Sequence, residues 1–183
     1  MPRNMHNAVF ELLQQSMSSG HVLDVPSGSM PFGKRLVAAG FQASAVDALE
    51  QTEVQGVDFR IGDMDEPLPF DDSTFDAAVC IEGIEHIRRP FDFIRECHRV
   101  IRPAGRLFLT TPNISALRSR WRWFLTGFHH KCKAPLDETR PAPRHHLNMT
   151  SFPELRYLLH STGFRIEHLA TNRIKPINWL YLP

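Results

Sequence analysis

Two periodicities divide the chain. Short apolar segments at 22–25, 43–46, 57–61, 77–81, 107–111 and 165–170 read as strands, bounded by Gly, Pro, Asp and Asn. Helical spacing of apolar positions appears at 32–39, 91–100, 115–125 and 153–161. An earlier stretch, 7–18, places Val9, Leu12, Leu13 and Met17 on one face and is expected to pack at the sheet edge. Pro31 suits the first turn of a helix, and Ser151-Phe-Pro-Glu154 forms a capping box in which serine and glutamate satisfy each other's backbone donors. Strands alternating with helices predict an α/β fold, a doubly wound, mostly parallel sheet in three α/β/α layers. At 183 residues and 42% hydrophobic content, the chain has the size and apolar content of one domain with a full core.

The segment from His21 to Glu50 holds the densest chemical signal. It reads as an apolar strand ending near Asp24, a tight turn through Gly28, a helix, and a second strand ending in Asp47. This is half of a nucleotide-binding βαβ unit. A turn of small residues lets a ligand approach backbone at the carboxyl edge of a sheet, and an acid at the next strand tip can accept from both hydroxyls of a ribose. The turn lacks the dinucleotide pattern Gly-x-Gly-x-x-Gly.

This segment resembles motif I of the class I S-adenosylmethionine-dependent methyltransferases, usually Asp-x-Gly-x-Gly-x-Gly. Asp24 and Gly28 match, whereas Pro26 and Met30 replace the outer glycines. Four later segments extend the resemblance in order. They are Phe59 to Phe70 with Asp63 and its Leu-Pro-Phe loop, Phe75 to His86, Arg95 to Asn113 with its Pro-x-Gly turn, and His146 to Phe164. The resemblance spans about 21–169 and is similar to the ubiquinone-biosynthesis group. It implies a Rossmann-like fold, S-adenosylmethionine as cofactor, and methyl transfer to a small-molecule oxygen, nitrogen or carbon. It also assigns cofactor residues. Asp24 orders the turn, and Pro26, Ser27, Gly28 and Ser29 cradle the methionine part. Asp47 takes the ribose, with Ala48 beside it, and Asp63 and Met64 take the adenine. Glu82 lies near the sulfonium. Met30 would put a side chain where the methionine part lies.

Glu82, Glu85 and His86 fall just past the fourth strand, where the reacting centre of a doubly wound fold sits. Glu-x-x-Glu-His resembles both the ubiquinone-type enzymes and the small-RNA 2′-O-methyltransferases, in which these side chains and a later histidine hold a divalent metal. His145 or His146 stands where that histidine would. Since the pattern occurs widely without metal, no metal is assigned, and His86 and His146 are taken as the catalytic pair acting on the acceptor. His129, His130, Cys132, His145 and His146 fit no structural zinc spacing and read as polar loop residues.

Net charge of +1 argues against a nucleic-acid footprint and counts against the RNA reading. The cations are uneven, clustering as Arg118, Arg120, Arg122, Lys131, Lys133, Arg140 and Arg144. The run 118–122, interleaved with Trp121 and Trp123, suits phosphates or an anionic membrane surface. Because Leu117, Trp121, Phe124 and Leu125 share one face, the simpler expectation is an ordinary amphipathic helix. Three spaced cysteines imply no disulfide framework, and the absence of a leader-like or spanning segment predicts a cytoplasmic protein.

Residues 126–149, rich in Pro and His, form a long inserted loop expected to act as a ligand-ordered lid, and the resemblance implies that it lies over the carboxyl edge as part of the acceptor site. The family resemblance implies a final antiparallel strand hairpin. The apolar end 179–182 is expected to be that last strand or the start of a truncated element. A rival expectation is a non-catalytic domain that has kept the fold and lost cofactor binding, with Met30 as its evidence.

Overall fold

The computed structural model describes residues 5–132, 135–137, 139 and 145–171. Lys133, Arg140, Arg144, most of the loop prolines and the expected last strand lie outside these residues.

Five strands form one all-parallel sheet: β1 (His21–Asp24), β2 (Gln42–Asp47), β3 (Val57–Ile61), β4 (Phe75–Ile81) and β5 (Ile101–Thr110), in the order β3-β2-β1-β4-β5. The chain winds outward from β1 to β3, then restarts at β4 on the other side of β1. The reversal opens a crevice beyond the carboxyl ends of β1 and β4, the place where doubly wound sheets bind ligands. Every turn named above as a candidate leaves a strand at this edge.

Residue alternation along the strands produces two cores. On one face, Leu23, Val25, Val46, Ala78 and Cys80 pack with α3 (Pro90–Val100) and α5 (Phe152–Ser161) through Phe93, Ile94, Cys97 and Leu158. On the other, Val22, Ala43, Ala77, Val79 and Ile81 meet α1 (Met5–Ser16) and α2 (Pro31–Ala38) through Phe10, Leu13, Phe32 and Leu36. The result is the expected three-layer α/β/α arrangement. Helix α1 corrects the expectation of an edge position. Its apolar face covers side chains of the central strands β1 and β4 beside α2, because Val9, Phe10 and Leu13 complete that core.

Local signals mostly act as read. Pro31 opens α2, and the Ser151 amide donates to the Glu154 carboxylate at 2.8 Å in the capping box of α5. Strand β5 starts earlier than 107, since Ile101 already pairs with Phe75 and a bulge absorbs the Pro-x-Gly segment before Arg106 pairs with Ala77. Gly105 is required there. A Cβ on it would sit 2.8 Å from the Asp76 carbonyl oxygen.

The expected strand at 165–170 does not form. A strand exists only where a neighbour completes its hydrogen-bond ladder, and among the described residues none pairs with this segment. It is tied to β5 by a loose ion pair, Arg106 to Glu167 at 3.7 Å. A second correction concerns α4 (Leu117–Thr126), whose apolar stripe does not seat on the sheet: Trp121, Phe124 and Leu125 are exposed, and Ser119 is the residue turned inward.

Candidate active site

The turn after β1 is fixed at both ends by backbone. The Ser27 amide donates to the Val46 carbonyl at 2.9 Å, and the Met30 amide to the Ser27 carbonyl at 2.9 Å. Gly28 has φ +51, and a Cβ there would meet nothing within 4 Å, so open space lies above it. Gly28 and Ser29 are exposed at the crevice, whereas Ser27 is buried and Pro26 half-buried. Beneath the turn, Asp24 Oδ2 and Ser27 Oγ are buried without a protein hydrogen-bond partner. Burial is the main cause that pushes the Asp24 carboxyl up to about 7, the Gly33 amide opposing and the Asp47 charge adding to the rise.

Both departures from the motif have structural explanations. Met30 adopts a left-handed backbone, with φ +57, at a cost of about 1–2 kcal/mol for an L-residue. Its side chain is fully buried beside Gly33, not presented on the open surface of the turn, which overturns the expectation that it intrudes on the ligand side. Pro26 packs directly over Gly83 in the loop after β4: a Cβ on Gly83 would sit 2.3 Å from Pro26 Cδ. The two loops flanking the crevice are thus locked together through a proline and a glycine.

Asp47 links the two turns of the first half. Its Oδ2 accepts from the Gly28 amide at 2.8 Å and its Oδ1 from the Leu49 amide at 3.1 Å. A carboxylate offers about four acceptor positions, so about two remain for other donors. Ala48 is exposed beside it. Asp63 is exposed at the end of β3, and its Oδ1 accepts from the Asp65 amide at 2.9 Å in an Asx-turn. Met64 points into the core with Leu23, Val25 and Val46, being only 8% exposed. The arrangement therefore gives Met64 a packing role first, and only a sliver of its surface to the crevice.

Across the crevice, the 3₁₀ turn Ile84–His86 follows β4. Glu82 adopts φ +51, held by its amide donating to Thr110, and its carboxylate lies 3.8 Å from Lys131 Nζ. Left-handed backbone at a non-glycine costs free energy and concentrates at functional sites. Glu85 is fully buried, and burial pushes its carboxyl up to about 7, helped by the charge of Glu82. His86 and His146, 60 positions apart, stack edge-to-face with ring centres at 4.8 Å.

Three hydrogen bonds bring the end of the long loop to this turn. His86 Nδ1 lies 2.9 Å from the His145 carbonyl, the Asn148 amide donates to the Glu85 carbonyl at 3.0 Å, and Asn148 Nδ2 donates to the Ile87 carbonyl. A carbonyl only accepts, so His86 Nδ1 carries the proton and Nε2 keeps its lone pair in the neutral ring. Burial, then the His86 and Lys131 charges, lowers the pKa of His146, and its Nδ1 is buried without a protein partner. One ligating atom each from Glu85, His86 and His146 lies within 4.8 Å of the others. One carboxylate and two imidazoles are a donor set that suits a divalent ion such as Zn²⁺, Fe²⁺ or Mn²⁺. The other loop histidines are elsewhere. His129 approaches Ser119 Oγ at 3.2 Å, and His145 Nε2 the Asp137 carbonyl at 3.1 Å.

A cavity of about 1020 Å³ lies beside this cluster, lined among others by Glu82, Thr110, Thr111, Asn113, Lys131 and Phe152. It is large enough for a drug-sized organic molecule. Thr110 and Asn148 were not singled out from the sequence, and Lys131 was read only as one of a cluster of cations. A lone Lys, Thr or Asn in a loop carries no spacing signal, and only the fold brings these three to Glu82 and His86.

A family model described as a methyltransferase domain matches residues 20–109. The chain is 31% identical over 108 residues to a ubiquinone biosynthesis O-methyltransferase of Xanthomonas oryzae pv. oryzae, covering 53% of this chain and 45% of that protein. It therefore spans about half the length of the curated relatives it matches. Among solved structures, an S-adenosylmethionine-dependent methyltransferase from Mesorhizobium loti superposes with TM-score 0.62 at 15% identity, covering 88% of this chain and 82% of that one. A 1,6-didemethyltoxoflavin-N1-methyltransferase from Burkholderia thailandensis, solved with bound 1,6-didemethyltoxoflavin and S-adenosylhomocysteine, superposes with TM-score 0.51 at 22% identity, covering 56% of this chain and 49% of that one. No helix among the described residues is long and apolar enough to cross a membrane.

Proposed function

We propose that this chain is a class I S-adenosylmethionine-dependent methyltransferase that transfers the methyl group of S-adenosylmethionine to a small organic acceptor, a reading supported by the methyltransferase-domain match and the similar O-methyltransferases. The observation that carries the proposal is the pair of turns joined by Asp47, whose carboxylate holds the Gly28 and Leu49 amides while open space lies above Gly28. The residues present fit the cofactor. Two buried polar atoms, Asp24 Oδ2 and Ser27 Oγ, lie under the turn without protein partners, and Met30 is turned inward.

In this reading Pro26, Ser27, Gly28 and Ser29 line the methionine part, and Asp47, with Ala48 beside it, holds the ribose hydroxyls. Asp63 faces the adenine with its remaining acceptor capacity. Glu82 lies toward the sulfonium, beside Lys131. The bound cofactor supplies an already activated methyl group, so the protein's work is alignment, water exclusion and proton removal. The Nε2 of His86 accepts the acceptor's proton, because the His145 carbonyl fixes its tautomer. His146, kept neutral by burial, supports His86 edge-on.

Calorimetry with S-adenosylhomocysteine tests the reading. The wild-type chain binds, and Asp47→Ala weakens binding by about 1–3 kcal/mol, since a ribose hydroxyl pair and two backbone amides lose their acceptor. Wild-type affinity in Asp47→Ala overturns the ribose assignment, and no binding by the wild type at millimolar ligand favours the non-catalytic reading.

A second reading has its own observation. The grouping of Glu85, His86 and His146 favours a metal-assisted variant in which a divalent ion lowers the acceptor hydroxyl's pKa. Methyl transfer that a chelator abolishes and added divalent metal restores supports it. Chelator-resistant transfer returns the chemistry to His86 alone.

A further inference from the structure

The cavity beside the histidine cluster holds two charges among its described lining residues, the Glu82 carboxylate and the Lys131 ammonium. They are poorly matched. Lys131 Nζ stands 3.8 Å from Glu82 Oε2, beyond hydrogen-bond reach, and no other described acceptor takes a hydrogen bond from it. An ammonium carries three donors, so Lys131 presents unused donor capacity at the cavity wall. Its charge is felt further in, at the Glu85 carboxyl and the His146 ring. Neither offsets it, because burial drives both groups towards their neutral forms. The rest of the wall is uncharged: Ile114, Phe152 and Leu155 supply apolar surface, and Asn113, Ser115 and Thr150 supply neutral polar groups.

We propose that Lys131 selects the acceptor by charge, and that the cavity takes a small organic anion, a carboxylate or phosphate on an apolar body, with its anionic oxygens against the ammonium. The proposal rests on the methyl-transfer reading and names its substrate class. Charge balance favours an anion. Glu82 and Lys131 cancel, and a cofactor bound as that reading has it adds a sulfonium cation near Glu82. An anionic acceptor restores neutrality, whereas a cationic one adds to the excess. A neutral acceptor that displaces water leaves the ammonium's donors unmet, which costs free energy. The apolar part of the wall weakens solvent screening and strengthens the attraction. Lys131 is 55% exposed, so the discrimination expected is moderate, below that of a fully buried pair. A flexible ammonium acts as a point charge and suits carboxylate and phosphate alike. Lys131 and His146 belong to the same long loop, so one segment brings both the selecting charge and a member of the reacting cluster.

Ligand titrations of the full chain without cofactor, followed by NMR, test it. The probes are benzoate and phenyl phosphate, set against the uncharged benzamide and benzyl alcohol. The expected result is binding of the anions tighter by about tenfold, weakened by salt, with amide signals at 110–115 and 131 shifting. Lys131→Met reduces the preference to about twofold or less, and Lys131→Arg keeps it. Glu82→Gln leaves the ammonium without its loose partner and strengthens benzoate binding, an effect that a lysine serving only stability does not produce. Unchanged thermal unfolding shows that the variants fold. Whichever anion binds more tightly identifies the group carried by the acceptor. Equal affinity for charged and uncharged probes overturns the proposal, as does a preference that survives Lys131→Met. Failure of both anions to bind at high millimolar concentration overturns it too. These titrations omit S-adenosylhomocysteine, so their failure is distinct from a failure of the calorimetry that tests Asp47.

Discussion

The two sides of the crevice are built by different means. On the β1–β2 side, contacts are short-range and made by backbone: Gly28 and Asp47 are 19 residues apart, and each partner amide lies in a tight turn. On the β4 side, side chains from distant segments meet, with His86 and Asn148 tied to partners about 60 residues away. The first side is a preformed cradle whose geometry survives changes elsewhere. The second holds buried ionisable groups, Glu85 at about 7 and His146 lowered, both shifted chiefly by burial. In the proposed function, binding and proton handling are thereby separated, as expected where a ligand is gripped by rigid turns and the reacting atoms meet tunable groups.

The largest effect that would break this comparison is expected in the preformed half. Met30→Gly removes a fully buried side chain worth about 2–5 kcal/mol and relieves about 1–2 kcal/mol of left-handed strain. Net destabilisation of about 1–3 kcal/mol is the expected outcome of chemical denaturation. A stabilised variant would show that Met30 is not packing the turn. Gly83→Ala is expected to cost a similar amount or slightly less. Its methyl group must displace Pro26, and overpacking of this kind costs about 1–3 kcal/mol. Unchanged stability in Gly83→Ala would mean that the two loops are not locked.

On the other side the expected effect depends on pH. The Glu85 carboxyl is at about 7 when folded and ordinarily at 4.5, so the folded state binds the extra proton between those values. Its favourable contribution is complete below about 4.5 and is lost as pH rises towards 7. Glu85→Gln therefore stabilises the apo chain by roughly 1–3 kcal/mol at pH 8 and by little at pH 5, read as the difference in melting temperature. Asp24 titrates in the same direction and is present in both proteins, so it cancels in the comparison. His146 has the opposite sign: its lowered pKa costs stability as pH falls below 6.5, and it also cancels. A Glu85→Gln variant whose advantage is equal at both pH values would contradict the buried-acid account.

The smallest expected change sharpens the link between the halves. Asn148→Ala removes one side-chain hydrogen bond to the Ile87 carbonyl, worth about 1 kcal/mol of stability. Its more telling readout is the pH profile of methyl transfer, which shifts if the 145–148 segment positions His86 and stays fixed if Asn148 only stabilises the loop.

The same contrast explains what could be read in advance. The sheet, α2, α3 and α5 were legible because period-2 and period-3.6 patterns, Pro31 and the Ser151 capping box act locally. The cradle was legible because an acid after one strand and a glycine after the previous one sit at fixed spacing. Met30 misled, since sequence gives a residue's position but not the direction in which an αL backbone sends its side chain. The α4 stripe misled for a related reason: a 3.6 period marks an apolar face without telling whether protein or solvent meets it. The proposed strand at 165–170 had a plausible composition but no ladder partner among the described residues. Asn148, and the approach of Lys131 to Glu82, were invisible because their significance is entirely tertiary.

Amide hydrogen exchange with and without S-adenosylhomocysteine tests the division of labour most directly. The account predicts strong added protection at 26–30 and 47–49, where the cradle grips the ligand. It predicts further protection across the described parts of 126–149, as that loop settles over the crevice. Saturating ligand that leaves 26–30 and 47–49 exchanging as before, whatever happens elsewhere, would contradict it.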